Sequence, residues 1–280
     1  MEQEWTTVIR AKNKVLNLNL KEVMQYRDLI ILFVKRDFKT FYKQTILGPL
    51  WIILNPLCTT IIYTFIFGTI ADLSTDGVPQ FLFYLMGTAV WNFFSTCLVK
   101  TAGTFTGNAA IFGKVYFPRL VVPVSVVLSN GFNFLIQFIL FLLVMTGYIL
   151  TGSSIHPNIM VVLTPVLVFE LGMLGMGTGI IISALTTKYR DLSILVNFGV
   201  QIWMYMSPVV YPASQVSGLL GKVIMLNPVS PILETFRCVY FGIGDIPYFY
   251  LLISAIVTAC VFFIGVIIFN KVEKTFMDTI

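Results

Sequence analysis

The sequence predicts an all-α integral membrane protein with six transmembrane helices and both termini in the cytoplasm. Three observations predict it. Hydrophobic residues make up 57% of the 280 and charged residues only 11%, with a mean hydropathy of +0.88. A soluble domain carries charge on about a quarter of its residues, so the apolar excess has to face lipid. Apolar runs of about 20 residues, the length needed to cross a hydrocarbon core, recur between residues 46 and 270. The segments between them alternate in charge, and sixteen of the eighteen Lys and Arg fall on one side. By the positive-inside rule that side, which holds both termini, is cytoplasmic.

The spans follow in order. The first covers residues 46–70 without a charge, and the second covers 80–99. The third and fourth share 120–187, too long for one span and broken at the turn-rich cluster 151–157. The fifth covers 192–211 and the sixth 248–270. Aromatic rings crowd several span ends, as at Phe81, Tyr84, Trp91 and Tyr248, where amphipathic rings favour the membrane interface. Three units result: a cytoplasmic arm over 1–45, a transmembrane domain over 46–270 and a cytoplasmic tail over 271–280.

Several classes are excluded. The net charge of +5 does not signal nucleic acid, because the basic residues border apolar spans and form no separate polar domain. The acidic, polar start of the chain is not a cleavable signal peptide. The four cysteines form no CxxC pair, so packing explains them better than metal or redox chemistry. Gly107, Gly113 and Lys114 imitate a phosphate loop. However, five residues separate the glycines where four are needed, and Val115 stands where Ser or Thr holds magnesium. The chain is therefore expected to bind no cofactor and to hydrolyse no ATP itself. A membrane-embedded polyprenyl-sugar transferase wants clustered acid, base or metal groups. Here the single histidine, His156, sits alone in an outer turn. An ion channel wants a charged ring or a filter-like repeat, and the spans carry neither.

Two cytoplasmic segments are more than address labels. Residues 20–44 read as a helix lying on the membrane surface, with Asn19 as N-cap. Ile30, Val34, Phe38 and Phe41 recur on one face. Lys35, Lys39 and Lys43 recur on another, beside Arg36, directed at lipid phosphates or a partner. Residues 108–119 form a short amphipathic segment that ends at Pro118 and Arg119.

Short motifs in a fixed order then accumulate. Tyr26-Arg27-Asp28, Lys35-Arg36-Asp37-Phe38, Leu47-Gly48-Pro49-Leu50-Trp51 and Asn55-Pro56 precede and enter the first span. Phe117-Pro118-Arg119 closes the first inner loop, and Tyr189-Arg190-Asp191-Leu192 marks the second. Ser207-Pro208-Val209 ends the fifth span, Asn227-Pro228 lies in the long outer loop, and Glu273 and Phe276 follow in the tail. Over nearly its whole length the chain resembles an ABC-2 type permease. More narrowly it is similar to the membrane subunits of exporters of O-antigen, capsule and teichoic acid.

The resemblance implies a homodimer in the bacterial cytoplasmic membrane, bound to two copies of a separate ATPase that carries ATP and magnesium. The substrate is a lipid-linked polysaccharide; the alternative is a drug or lipid exporter of the same class. The arm becomes an interfacial helix, and Asn108, Phe112, Lys114, Phe117, Arg119, Arg190 and Asp191 become ATPase-coupling residues. Part of the outer loop becomes re-entrant helices between spans five and six. The sequence permits this, because 223–242 is too apolar for a free loop and too interrupted for a span. Glu234 and Arg237, at i and i+3, are placed to pair there.

Sugars need hydrogen-bonding groups and flat aromatic faces. Trp51, Asn55, Thr59 and Tyr63 follow every four residues in the first span, and Asn197, Gln201 and Tyr205 do so in the fifth. The third span adds Asn130, Asn133 and Gln137. Amides facing lipid are costly, so these stripes face protein or a water-filled channel. Interhelical hydrogen bonding satisfies the same constraint. The resemblance, which places a channel at the dimer interface, favours a substrate pathway for the first and fifth spans. Glu170 is the one acid deep in a span and is expected to be protonated, paired or facing water. Gly172, Gly175 and Gly179 beyond it invite close helix approach.

Overall fold

Long uncharged runs leave the backbone one way to satisfy itself in an apolar setting, and among the described residues the regular structure is helical. The computed structural model describes residues 20–43, 46–115, 117–187, 189 and 191–279. The expected surface helix is in two pieces, α1 (Leu20–Gln25) and α2 (Arg27–Tyr42), because Tyr26 leaves helical geometry with ψ 25°. Asn19, the expected cap, lies outside the described residues.

Among the described residues, five stretches are long and apolar enough to cross a membrane: Leu50–Ile70, Gln80–Ala102, Val121–Leu150, Ile159–Thr186 and Tyr248–Val272. The first is α3 (Leu50–Tyr63) prolonged over Thr64–Ile70 by wider turns, in which Ala71 N–H reaches Ile66 O at 2.9 Å. The next are α4 (Gln80–Ala102) and α6 (Val121–Leu150), with the short α5 (Thr104–Phe112) between them. A 3₁₀ turn (Ile159–Leu163) then leads into α7 (Thr164–Thr186). The break between α6 and α7 falls at residues 151–158, as the sequence indicates.

The fifth expected span is shorter than its apolar run. Its helix, α8, covers Leu192–Tyr205, 14 residues. That is about 21 Å long, against about 20 residues for a full crossing. Met206 and Ser207 turn the chain, and Pro208, with no N–H to donate, prevents its resumption. Two helices follow, α9 (Gly218–Leu226) and α10 (Val229–Phe241), and then α11 (Tyr248–Thr279), which runs on through the boundary expected at residue 270.

The centre of the molecule is α7, with α4 on one side and α11 on the other. Glycines make this possible. A Cβ at Gly179 would stand 2.6 Å from Thr101 Cβ, and one at Gly175 would stand 2.9 Å from Phe94 O. On the other flank, a Cβ at Gly177 would stand 2.9 Å from Phe262 Cα. The close approach expected at Gly175 and Gly179 is met by α4, while the approach of α11 falls at Gly177, which the sequence reading did not name. Phe83, Phe94, Leu171 and Phe236 fill the main core.

Candidate functional site

Between α8 and α11, α9 and α10 form a hairpin whose elbow, Asn227 and Pro228, is held from three sides. Trp203 Nε1 donates to Asn227 Oδ1 at 2.9 Å, and Asn227 Nδ2 donates to Ser207 Oγ at 2.8 Å. Ser254 Oγ on α11 lies 2.7 Å from Pro228 O and 2.6 Å from Glu170 Oε1 on α7. A serine hydroxyl has one proton, and the proline carbonyl only accepts. Both contacts are satisfied together when Ser254 donates to Pro228 and the Glu170 carboxyl donates to Ser254. Glu170 is therefore paired through Ser254, one of the outcomes expected for it.

The hairpin's second arm is buried along almost its whole length and carries the expected ion pair. Arg237 Nη1 lies 2.7 Å from Glu234 Oε1, and its Nη2 donates to Val209 O at 3.0 Å. The guanidinium also stacks on Phe83 of α4, 3.8 Å from the ring centre. Glu234 Oε1 accepts from Ala213 N–H at 3.1 Å. One cation thus ties α10, α4 and the 207–213 turn together. At the top of the hairpin, Asn158 N–H donates to Val239 O at 2.8 Å, which anchors the α6–α7 turn.

The two candidate pathway stripes lie on thinly covered helices. Trp51 and Tyr205 are 49% and 59% exposed, and no described residue of α8 is buried. Asn55, Asn197 and Gln201 are exposed, and Thr59 is half-buried with its hydroxyl turned back to Asn55 O at 3.0 Å. Asn197 bonds only weakly within its own helix, to Ser193 O at 3.5 Å. The stripes meet at one end, where Tyr63 OH lies 3.7 Å from Met204 Sδ. Tyr63 also packs against Phe67 and Tyr84, so its ring is structural as well as accessible. Asn130 does not belong with them. It is buried, accepts from Lys100 Nζ at 3.0 Å and donates to Val126 O.

At the end opposite the hairpin's top, α2 and α5 share a second core. Ile30 and Phe33 of α2 bury beside Phe105, Phe112 and Phe117, and Phe105 stacks on Phe269 of α11 at 4.4 Å. Of the expected coupling residues, Phe112 and Phe117 are thus interior, and Arg119 lies over the Phe112 ring. Asn108 caps back onto Thr104 O at 3.0 Å. Lys114, with Gly113 and Val115, forms the exposed tip, and Asp191 is exposed before α8. Arg190 lies outside the described residues. Lys35, Arg36, Lys39 and Lys43 are exposed along α2 as expected.

Sequence reading missed one cluster here. Asp37 holds Arg36 at 2.9 Å and accepts from Ser129 Oγ at 3.4 Å, while Lys100 reaches Asn130 one residue along α6. Lys100 belongs to α4 and not to the loop after it. An acid set among Lys35, Arg36, Lys39 and Lys43 on an interfacial helix was the available signal. Among the described residues, no three His, Cys, Asp or Glu side chains gather to hold a metal ion.

A bundle of long apolar helices, with an amphipathic arm and a short helix sharing a core at one end, is the architecture of a multi-pass membrane protein. Residues 28–241 match the family model for the ABC-2 type transporter, and the chain belongs to that family. Among its relatives are two O-antigen export system permease proteins, both named RfbA. The one from Klebsiella pneumoniae is 27% identical over 94% of this chain and 99% of its own length. The one from Myxococcus xanthus is 30% identical over 79% of this chain and 84% of its own.

Proposed function

We propose that this chain is the membrane subunit of an exporter that carries a lipid-linked polysaccharide of the O-antigen class across the bacterial cytoplasmic membrane. It acts as a homodimer with two copies of a separate ATPase, which binds ATP and magnesium. The observation that carries the reading is the pair of polar and aromatic stripes left uncovered on α3 and α8 in a chain of this family. Export permeases among its relatives, matched nearly end to end, supply the substrate class.

On this reading the end bearing α2 and α5 is cytoplasmic. Residues 1–45 are the arm, 46–270 the transmembrane domain with α8 as the fifth crossing, and 271–280 the tail. The α9–α10 hairpin dips into the membrane from the outer side, its polar elbow covered by protein as re-entrant backbone requires. The ATPase docks on the tip around Lys114. Because Phe112 and Phe117 lie in the core shared by α2 and α11, a push on the tip is delivered to the helices and not absorbed by a loose loop. ATP shifts the transporter only through different affinity for its closed and open states.

Replacing Gly113, Lys114 and Val115 with acidic residues is expected to abolish co-purification of the ATPase while the permease stays abundant in the membrane. Intact co-purification removes the docking assignment. Maleimide labelling of Ser74→Cys from outside intact cells checks the orientation, and protection there reverses it.

A further inference from the structure

Two apolar hollows on the outer flank of the bundle run into one another. The first, about 1300 Å³, lies between α2 and α6, with Phe38, Leu128 and Phe132 among its walls. The second, about 540 Å³, lies between α6 and α7, and Leu128 and Phe132 line it too. From there it climbs past Phe138 to Thr164 and Pro165 at the start of α7. Seven residues of α7 border the second hollow, spread over the twelve-residue rise from Thr164 to Met176. At about 1.5 Å per residue that is a trough about 18 Å deep, the scale of one leaflet's acyl chain. Its floor is open at Gly131, where an added Cβ would meet nothing within 4 Å.

One mouth of this trough is charged. Lys35, Lys39 and Lys43 line the first hollow at four-residue spacing, so they form a single stripe along α2. Among the described residues, no carboxylate lies within ion-pair distance of these three. Arg36 beside them is already engaged by Asp37 and by the Phe33 ring. Thus an apolar slot along the spans ends at three adjacent cations at the membrane surface. A soluble partner has nothing to place in the slot, and a neutral lipid has nothing to offer the lysines. None of the seven candidate pathway residues lines either hollow.

We propose that this trough is a binding site for an anionic phospholipid, with one acyl chain between α6 and α7 and the phosphate against Lys35, Lys39 and Lys43. The placement in the cytoplasmic leaflet rests on the orientation given above; the site itself does not. Bound there, the lipid wedges α2 against α6 and braces the arm through which the ATPase end meets the bundle.

The test uses the full chain purified in mild detergent and native mass spectrometry after adding phosphatidylglycerol or phosphatidylcholine. Wild type is expected to retain phosphatidylglycerol and to release phosphatidylcholine. Gly131→Trp, which plugs the floor, is expected to lower retention roughly tenfold or more, and the triple change Lys35→Gln, Lys39→Gln, Lys43→Gln roughly a hundredfold, at about 1 kcal/mol per basic residue. Both variants should elute from gel filtration as wild type does. Should Gly131→Trp fail to fold, the lysine variant decides alone. Equal retention of the two lipids, or undiminished phosphatidylglycerol in the lysine variant, overturns the proposal. So does displacement of the phospholipid by undecaprenyl phosphate at equal concentration, which makes the trough a substrate site. Ser74→Cys labelling reports orientation separately: protection there with phosphatidylglycerol still bound removes the leaflet assignment and supports the site.

Discussion

Helices α7 and α8 follow one another in the chain and are similarly apolar, yet they are covered in opposite ways. In α7, Leu171, Gly175, Gly179 and Ile180 are buried between α4 and α11. In α8, no described residue is buried, and Ile194, Phe198 and Tyr205 stand more than half exposed. Apolarity sets the tendency to leave water, while shape decides what provides the cover. The glycine-threaded surface of α7 admits other helices to backbone contact. The side chains of α8, interleaved with Asn197 and Gln201, remain uncovered by the rest of the chain.

The sharpest way to break this contrast is to give both helices the same insertion. Gly179→Leu has no room beside Thr101 and Leu98 O and is expected to cost about 3 kcal/mol or more, seen as loss of the protein from the membrane. Gly199→Leu on α8 meets open space and is expected to leave abundance unchanged. If both accumulate equally, α7 is not the packed axis of the fold.

Next in size is the buried cation that ties the hairpin to the core. Arg237→Ala leaves Glu234 without its partner and is expected to cost about 3–5 kcal/mol. Adding Glu234→Leu to Arg237→Met should recover much of that loss in a thermal melt. A double variant no better than Arg237→Ala would mean that the contacts to Val209 O and Phe83 carry the stability.

A smaller effect is expected at Glu170. Glu170→Gln keeps a donor for Ser254 and should melt close to wild type, while Glu170→Ala loses about 1–3 kcal/mol. If Gln proves as damaging as Ala, the carboxyl is not acting as the donor in this chain of hydrogen bonds.

The smallest stability effects belong to the uncovered helices, and there function becomes the readout. Tyr205→Ala should cut polymer export severalfold with abundance unchanged, and unchanged export removes α8 from the pathway. At Tyr63 the informative change is Tyr63→Phe. Tyr63→Ala also forfeits ring contacts with Phe67 and Tyr84, worth about 0.5–1.5 kcal/mol each.

The same contrast explains how much could be read from the chain. Span positions, the break at residues 151–158, the close approach at Gly175 and Gly179 and the Glu234–Arg237 pair were legible, because each follows from local composition or helical spacing. The end of α8 was legible only in part: Ser207-Pro208-Val209 marked it, but the apolar run carried the expected span on to residue 211. Val209 and Val210 continue the apolar run, and only Pro208 and the distant Asn227 reveal that they belong to a turn. The inward burial of Phe112 and Phe117 was not legible, because it depends on Phe33 and Phe269, far away in sequence. Amide stripes were visible, but the partner that buries Asn130 in the bundle was Lys100, thirty positions away.

The shortness of α8 has a mechanical consequence. On the proposed topology, the wall beside the pathway is built in two storeys, a 14-residue helix and, beyond Ser207, the elbow of a separate hairpin. A single rod of full length opens only by tilting or unwinding as a whole. A wall jointed at Ser207 and Asn227 can change its slope at the joint, where a few hydrogen bonds link the storeys, while the lower storey keeps every turn and α10 stays in the core. The barrier to a passing polymer is then as thick as the hairpin's position makes it, an adjustable quantity and not a fixed dimension of the bilayer.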